Sequence, residues 1–163
     1  MTEQPSTERD EAAVARFVER FALVLTEAGI PRMPARVFAV LLAIDEGKAT
    51  AAGLASALHV SPAAISGAVR YLDQVGLIVK ARDPGERRDH YEVTDDMWHE
   101  AFGNRDKQMQ AWIDVLADGV SAVGQGTHAG RRLETSQRFI EFLLKEMVTL
   151  MERWRESERN RSG

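Results

Sequence analysis

The sequence predicts a mainly α fold carrying one small β-hairpin, and three observations predict it. Two short helical stretches meet across a tight turn at His59 and Val60, where Ser61-Pro62 supplies an N-cap followed by proline at the first helical position. After Gly76 come two β-prone stretches, LIVKAR and DHYEVT, joined through the Asp-Pro-Gly of DPGERR, which reads as a hairpin because each turn residue has a conformational reason to be there. Beyond Thr94 the apolar residues return to helical spacing.

Taken in order, Thr7 with Asp10 fits a capping box, and Val14, Phe17, Val18, Phe21 and Leu25 recur at helical spacing until Gly29. The chain before this helix, residues 1–7, reads as a flexible tail. Pro34 suits the first turn of a second helix whose Val37, Phe38, Val40, Leu41, Leu42 and Ile44 are apolar nearly all round, so it belongs in the core and ends at Gly47. Thr50 can cap a short third helix bearing Leu54 and Leu58. The fourth, from Pro62 to Val75, places Ile65, Val69 and Leu72 on one face and Ala63, Ser66, Gly67 and Arg70 on the other. A helix-turn-helix followed by a hairpin is the winged-helix plan.

Further on, Trp98, Phe102, Met109, Trp112, Ile113 and Leu116 form a helical stripe, which DGVSAVGQGTHAG interrupts with four glycines. A last helix is expected from about Arg131 to Arg159, with Ile140, Leu143, Met147, Leu150 and Trp154 at the spacing of a coiled-coil seam. So long a helix cannot bury that seam on so small a domain, and a second copy of the chain is its most economical partner. The expected organisation is therefore a dimerisation helix over 8–30, a winged helix-turn-helix DNA-binding domain over 31–94, and a helical dimerisation region over 95–160.

The chain has 163 residues, which leaves no room for a second catalytic domain. It has no cysteine, hence no disulfide, thiolate metal site or cysteine nucleophile. No apolar run approaches the ~20 residues needed to cross a bilayer. The N-terminus lacks the basic and apolar regions of a secretory signal, so a cytoplasmic protein without a membrane partner is expected. The net charge of -4 argues against nucleic-acid binding in general. Locally the balance shifts: between Ser56 and Tyr91, Arg70, Lys80, Arg82, Arg87 and Arg88 outnumber Asp73, Asp83, Glu86 and Asp89. Arg87 and Arg88 sit at the turn, where a core role is implausible and an arginine can enter a DNA minor groove. The alternative is a solvated turn with ion pairs to Asp83, Glu86 or Asp89.

Nothing points to an enzyme. His59, His90, His99 and His128 are scattered, and no nucleophile triad, phosphate-cradling loop or paired-carboxylate motif stands out. His90, Asp95 and His99 are the one grouping that could share a metal, but they lack tight helical spacing, so neither metal nor cofactor is expected. Trp98, Phe102 and Trp112 could cage a cationic small-molecule effector, but an aromatic stripe at helical spacing is more often core or dimer interface.

The stretches GIPRMPARVFAVLLAID, SGAVRYLDQVGLI and PGERRDHYEVTDDMW resemble the MarR family of winged-helix regulators, and within it the GbsR-type branch. The resemblance covers roughly Phe17 to Trp98. It implies a homodimer that binds a palindromic operator, usually as a repressor, and lets go when a small molecule binds. It also implies a base-facing set of Ser61, Pro62, Ala63, Ser66, Gly67 and Arg70, with Arg88 as the wing arginine and Arg87 beside it. Many relatives have Arg at the position of Gly67 and Asp at that of Glu86, which weakens base readout and enlarges the part left to DNA shape. The competing function is a helical interaction module whose winged helix contacts protein instead of DNA.

Overall fold

The computed structural model describes residues 9–103 and 105–161. Contacts divide the chain into two compact units that meet after Trp98.

In the first unit, α1 (Glu11–Glu27) starts at Asp10, whose carboxylate accepts from the Ala13 N–H. Asp10 is thus the N-cap itself, whereas Thr7 and the tail over 1–7 lie outside the described residues. Val18, Ala22 and Leu25 are the buried stripe of α1. Phe17, expected on the same face, is instead largely exposed and stacks on Phe21 with ring centres 5.6 Å apart. Helix α2 (Arg32–Ala43) is the core helix, with Val37, Phe38, Ala39 and Leu41 fully buried. It stops before Gly47 because the chain turns at Ile44 into a strand that the sequence did not announce, β1 (Lys48–Thr50).

Thr50 then caps α3 (Ala51–Leu58) by accepting from the Gly53 N–H, and His59 closes α3 in a left-handed conformation. Ser61 caps α4 (Pro62–Gln74) by accepting from the Ala64 N–H. The two helices bend by 114° across that turn, within the range of a helix-turn-helix. Gly76, at φ +78°, lets the Leu77 N–H reach back to the Leu72 carbonyl and sends the chain into the wing. The wing strands β2 (Val79–Ala81) and β3 (His90–Glu92) are three residues each, shorter than the flanking apolar stretches suggested. β3 is the centre of a three-stranded antiparallel sheet of order β1-β3-β2, in which His90 lies between Thr50 and Ala81 and Glu92 between Lys48 and Val79. The strand β1 thereby bolts the wing to the α2–α3 connection.

Helix α5 (Met97–Gly103) crosses from the first unit into the second. The second unit is built on α6 (Asp106–Val123) and α7 (His128–Arg161). The glycine-rich stretch breaks the helix only over 124–127, not from Asp118 to Gly130. Gly119 is there for close packing, since a Cβ on it would stand 3.2 Å from Leu133 Cδ1. Gly130, one turn into α7, faces the Gly124 carbonyl so closely that any side chain would collide with it.

The expected seam of α7 divides between two faces. Leu133, Gln137, Ile140, Leu144, Met147 and Met151 form a half-buried stripe that begins against α6. Phe139, Phe142, Leu143, Leu150 and Trp154 stay exposed, Phe139 and Leu150 at 61% and 56%. At 3.6 residues per turn this second face lies about a quarter turn from the first. The aromatic stripe divides likewise: Met109 and Ile113 are buried, and Trp112 is 56% exposed.

Candidate nucleic-acid interface

The apolar face of α4 is used up by the core, where Ile65, Ala68, Val69 and Leu72 are buried. That fixes the rotation of the helix and leaves Ser61, Pro62, Ala63, Ser66, Gly67 and Arg70 all exposed. The first turn is well prepared: Ser61 occupies the cap, and Pro62 removes one N–H that would have no partner in the helix. Arg70 has no ion pair among the described residues. Gly67 is a mid-helix glycine with nothing within 4 Å of where a Cβ would be, so the chain's own packing gives no reason for it.

The wing turn is built on Asp83-Pro84-Gly85-Glu86. The Glu86 N–H donates to the Asp83 carbonyl at 3.1 Å, and Gly85 takes φ +86°, the third-position conformation of a type II turn with proline second. Two carboxylates could have neutralised the arginines that follow, and both are engaged elsewhere. Asp83 accepts from Lys48 Nζ at 3.0 Å. Asp89 accepts from Arg82, Nε at 2.8 Å and Nη2 at 2.6 Å, and from Lys80 Nζ at 3.0 Å.

These bonds leave an electrostatic trace in the groups that make them. The Lys48 hydrogen bond holds the Asp83 carboxyl below its usual range, and Lys80, with Arg82, does the same for Asp89. Reciprocally, the Asp83 and Asp89 carboxylates raise Lys48 and Lys80. Arg87 and Arg88 are exposed and have no hydrogen bond or ion pair among the described residues. The ion pairs that the solvated-turn reading allowed, from Asp83, Glu86 or Asp89 to these arginines, are not formed among the described residues, since Lys48, Lys80 and Arg82 hold Asp83 and Asp89. The part played by Lys48 was not legible, since it depends on a three-residue strand 35 positions away in the chain.

Other candidate residues are scattered. Trp98 meets Phe38 edge-on at 5.8 Å, Phe102 lies under the Arg105 guanidinium at 5.7 Å, and Trp112 has no ring contact among the described residues. No group of His, Asp and Glu side chains among the described residues could hold a metal ion. Among the described residues no single helix is long and apolar enough to cross a membrane.

Two family models match, one for the MarR family over residues 28–89 and one for MmpR5-like MarR family transcriptional regulators over residues 96–158. Both describe the same family, and together they take in the winged helix and the helices after it. The chain belongs to the MarR family. That makes it a winged-helix transcriptional regulator of the DNA-binding kind and not an enzyme. A crystal structure described as a transcriptional regulator superimposes with a TM-score of 0.80 at 23% identity, covering 88% of this chain and 99% of that one, and so shares the fold. The transcriptional regulator Tm0710 from Thermotoga maritima is 22% identical over 87% of this chain and 91% of its own, with a TM-score of 0.40. No curated protein matches the sequence.

Proposed function

We propose that this MarR-family chain is a cytoplasmic bacterial repressor that binds a palindromic operator as a homodimer. Helix α4 enters the major groove, and Arg87 and Arg88 enter the adjacent minor groove. The observation that carries the reading is the charge arrangement of the wing: Lys48, Lys80 and Arg82 neutralise Asp83 and Asp89, leaving Arg87 and Arg88 exposed with no ion pair among the described residues. The chain's net charge of -4 would repel a phosphate backbone, so binding needs a local cationic feature that its own acids do not cancel. The face of α4 offers small side chains, one arginine and a free first turn, which suits close approach and methyl contact better than bidentate base readout. Shape readout through the wing then carries a large share of specificity.

Dimerisation is supported by the exposed apolar face of α7, which a monomer would leave in water. Two copies related by a twofold axis would read two half-sites, hence the palindrome. Release by a small-molecule effector rests on the GbsR-type resemblance, which also suggests a quaternary ammonium compound. Trp98, Phe102 and Trp112 are its candidate contacts. The test is selection of duplexes from a random pool followed by footprinting: a protected inverted repeat supports the reading, and failure to enrich any sequence or to retard any duplex contradicts it.

A further inference from the structure

His90 is the one polar or charged side chain in the buried set of described residues, 7% exposed, and it stands at the root of the wing. Its Nε2 lies 3.2 Å from Glu92 Oε2 on the same strand. Its Nδ1 lies 3.9 Å from Asp83 Oδ2, the first residue of the wing turn, which is too long for a hydrogen bond. Lys48 Nζ, on the neighbouring strand, reaches that same Asp83 Oδ2 at 3.0 Å. The cross-strand neighbours of His90 in the sheet, Thr50 on β1 and Ala81 on β2, carry no charge, and Glu86 bears electrostatically on Lys48.

A neutral imidazole has one N–H. A carboxylate can only accept, so that N–H belongs on Nε2, donating to Glu92, and the Nδ1 lone pair then faces the Asp83 carboxylate. Taking up one proton from solvent puts an N–H on Nδ1 as well, and an opposed lone pair becomes a charge-assisted donor aimed at Asp83. We propose that His90 is a proton-operated clamp on the wing: when protonated it bridges Glu92 and Asp83, sharing Asp83 with Lys48, and holds the turn that carries Arg87 and Arg88 against the sheet. When His90 is neutral, the turn is held by Lys48 alone. The held wing is the state that gains a bond on protonation, so uptake of the proton by His90 tightens the wing and its loss loosens it. Any effect on DNA affinity rests on the function proposed above.

The experiment follows the histidine ring and wing-amide NMR signals of the full chain from about pH 5 to about pH 8, the range in which imidazole titrates. The expected result is that the amides from Asp83 to Arg88 shift with the midpoint of the His90 ring. The shift should vanish in Asp83→Asn and His90→Gln and grow in Lys48→Met, where Asp83 has lost its competing cation. Asp83 is on the exposed turn, so its variant keeps the test valid if His90→Gln fails to fold. Random-sequence duplex affinity should fall by about threefold to tenfold from pH 5 to pH 8 in the wild type beyond any change in Asp83→Asn. Wing amides indifferent to His90 titration, or an undiminished response in Asp83→Asn, would overturn the clamp. Coupled titration without duplex binding at any pH would uphold the clamp and overturn the DNA-binding reading.

Discussion

Arg82 holds Asp89 with two nitrogens, Nε at 2.8 Å and Nη2 at 2.6 Å from the same carboxylate oxygen, across the neck of the wing. The pair closes the eight-residue connection between β2 and β3 and takes out of play the acid next to Arg88. Asp89→Asn should therefore add net positive charge without touching the core. The expected outcome is tighter low-salt binding to duplexes of any sequence, measured by fluorescence anisotropy, with the difference shrinking as salt rises.

The wing ion pairs also set an acid limit. Asp83 and Asp89 are held below their ordinary carboxyl range, so the order they lend the wing is present above that range and is lost as pH falls through it and the carboxyls take protons. Both groups are half-buried in the wing and outside the core, so the loss should appear as local loosening and not as global unfolding. Amide exchange in residues 82–89 should speed up below about pH 4, the ordinary carboxyl range, relative to amides of α2 and α4.

Gly67 separates stability from function. Glycine within a helix costs roughly 0.5–1 kcal/mol against alanine, and a side chain here would meet only open space. Gly67→Ala should therefore raise the melting temperature. Gly67→Gln should fold equally well but bind the selected operator more weakly, because its side chain occupies the space through which the α4 backbone approaches the groove. A Gly67→Gln variant with unchanged operator affinity would remove α4 from close contact with DNA.

The two faces of α7 predict different failures. Leu143→Asp with Leu150→Asp places charges on the exposed apolar face and should give a monomer by light scattering with most helical circular dichroism retained. Ile140→Asp falls on the half-buried stripe and should lower the unit's own stability. A folded dimer of the Leu143, Leu150 double variant would contradict this assignment of faces.

Much of this architecture was legible because local signals agreed with the fold. Thr50 and Ser61-Pro62 capped the helices they were expected to cap, and the Asp-Pro-Gly turn formed as its residues require. The alternation of buried and exposed positions along α4 followed from Ile65, Val69 and Leu72. The misreadings share a cause, which is that contacts distant in sequence decided the outcome. Lys48–Thr50 is a strand only because β3 is there to pair with it. Gly119 and Gly130 read as breakers, yet they lie within helices, Gly119 packed tightly on the Leu133 side chain and Gly130 against the Gly124 carbonyl, where a side chain would collide. In α7 the periodicity was correct, but a pattern of apolar residues wide enough for two faces does not say which face meets α6. Ion pairing within the wing was equally hidden: the sequence left open whether Asp83, Glu86 or Asp89 would pair with Arg87 and Arg88, and could not show that Lys48, Lys80 and Arg82 take Asp83 and Asp89.

Salt-dependent DNA binding by Arg88→Ala tests the central claim most directly. Each phosphate contact contributes about 0.9 to the slope of log affinity against log salt, so loss of one arginine from each of two subunits should flatten the slope by about 1.8. Affinity should fall on the selected operator and on random duplex alike, with the circular dichroism spectrum and melting temperature unchanged, because Arg88 is exposed and bonded to nothing in the described residues. An unchanged affinity and slope on both duplexes would contradict the account, reduce the wing to a solvated turn, and leave the winged helix as a surface for another protein.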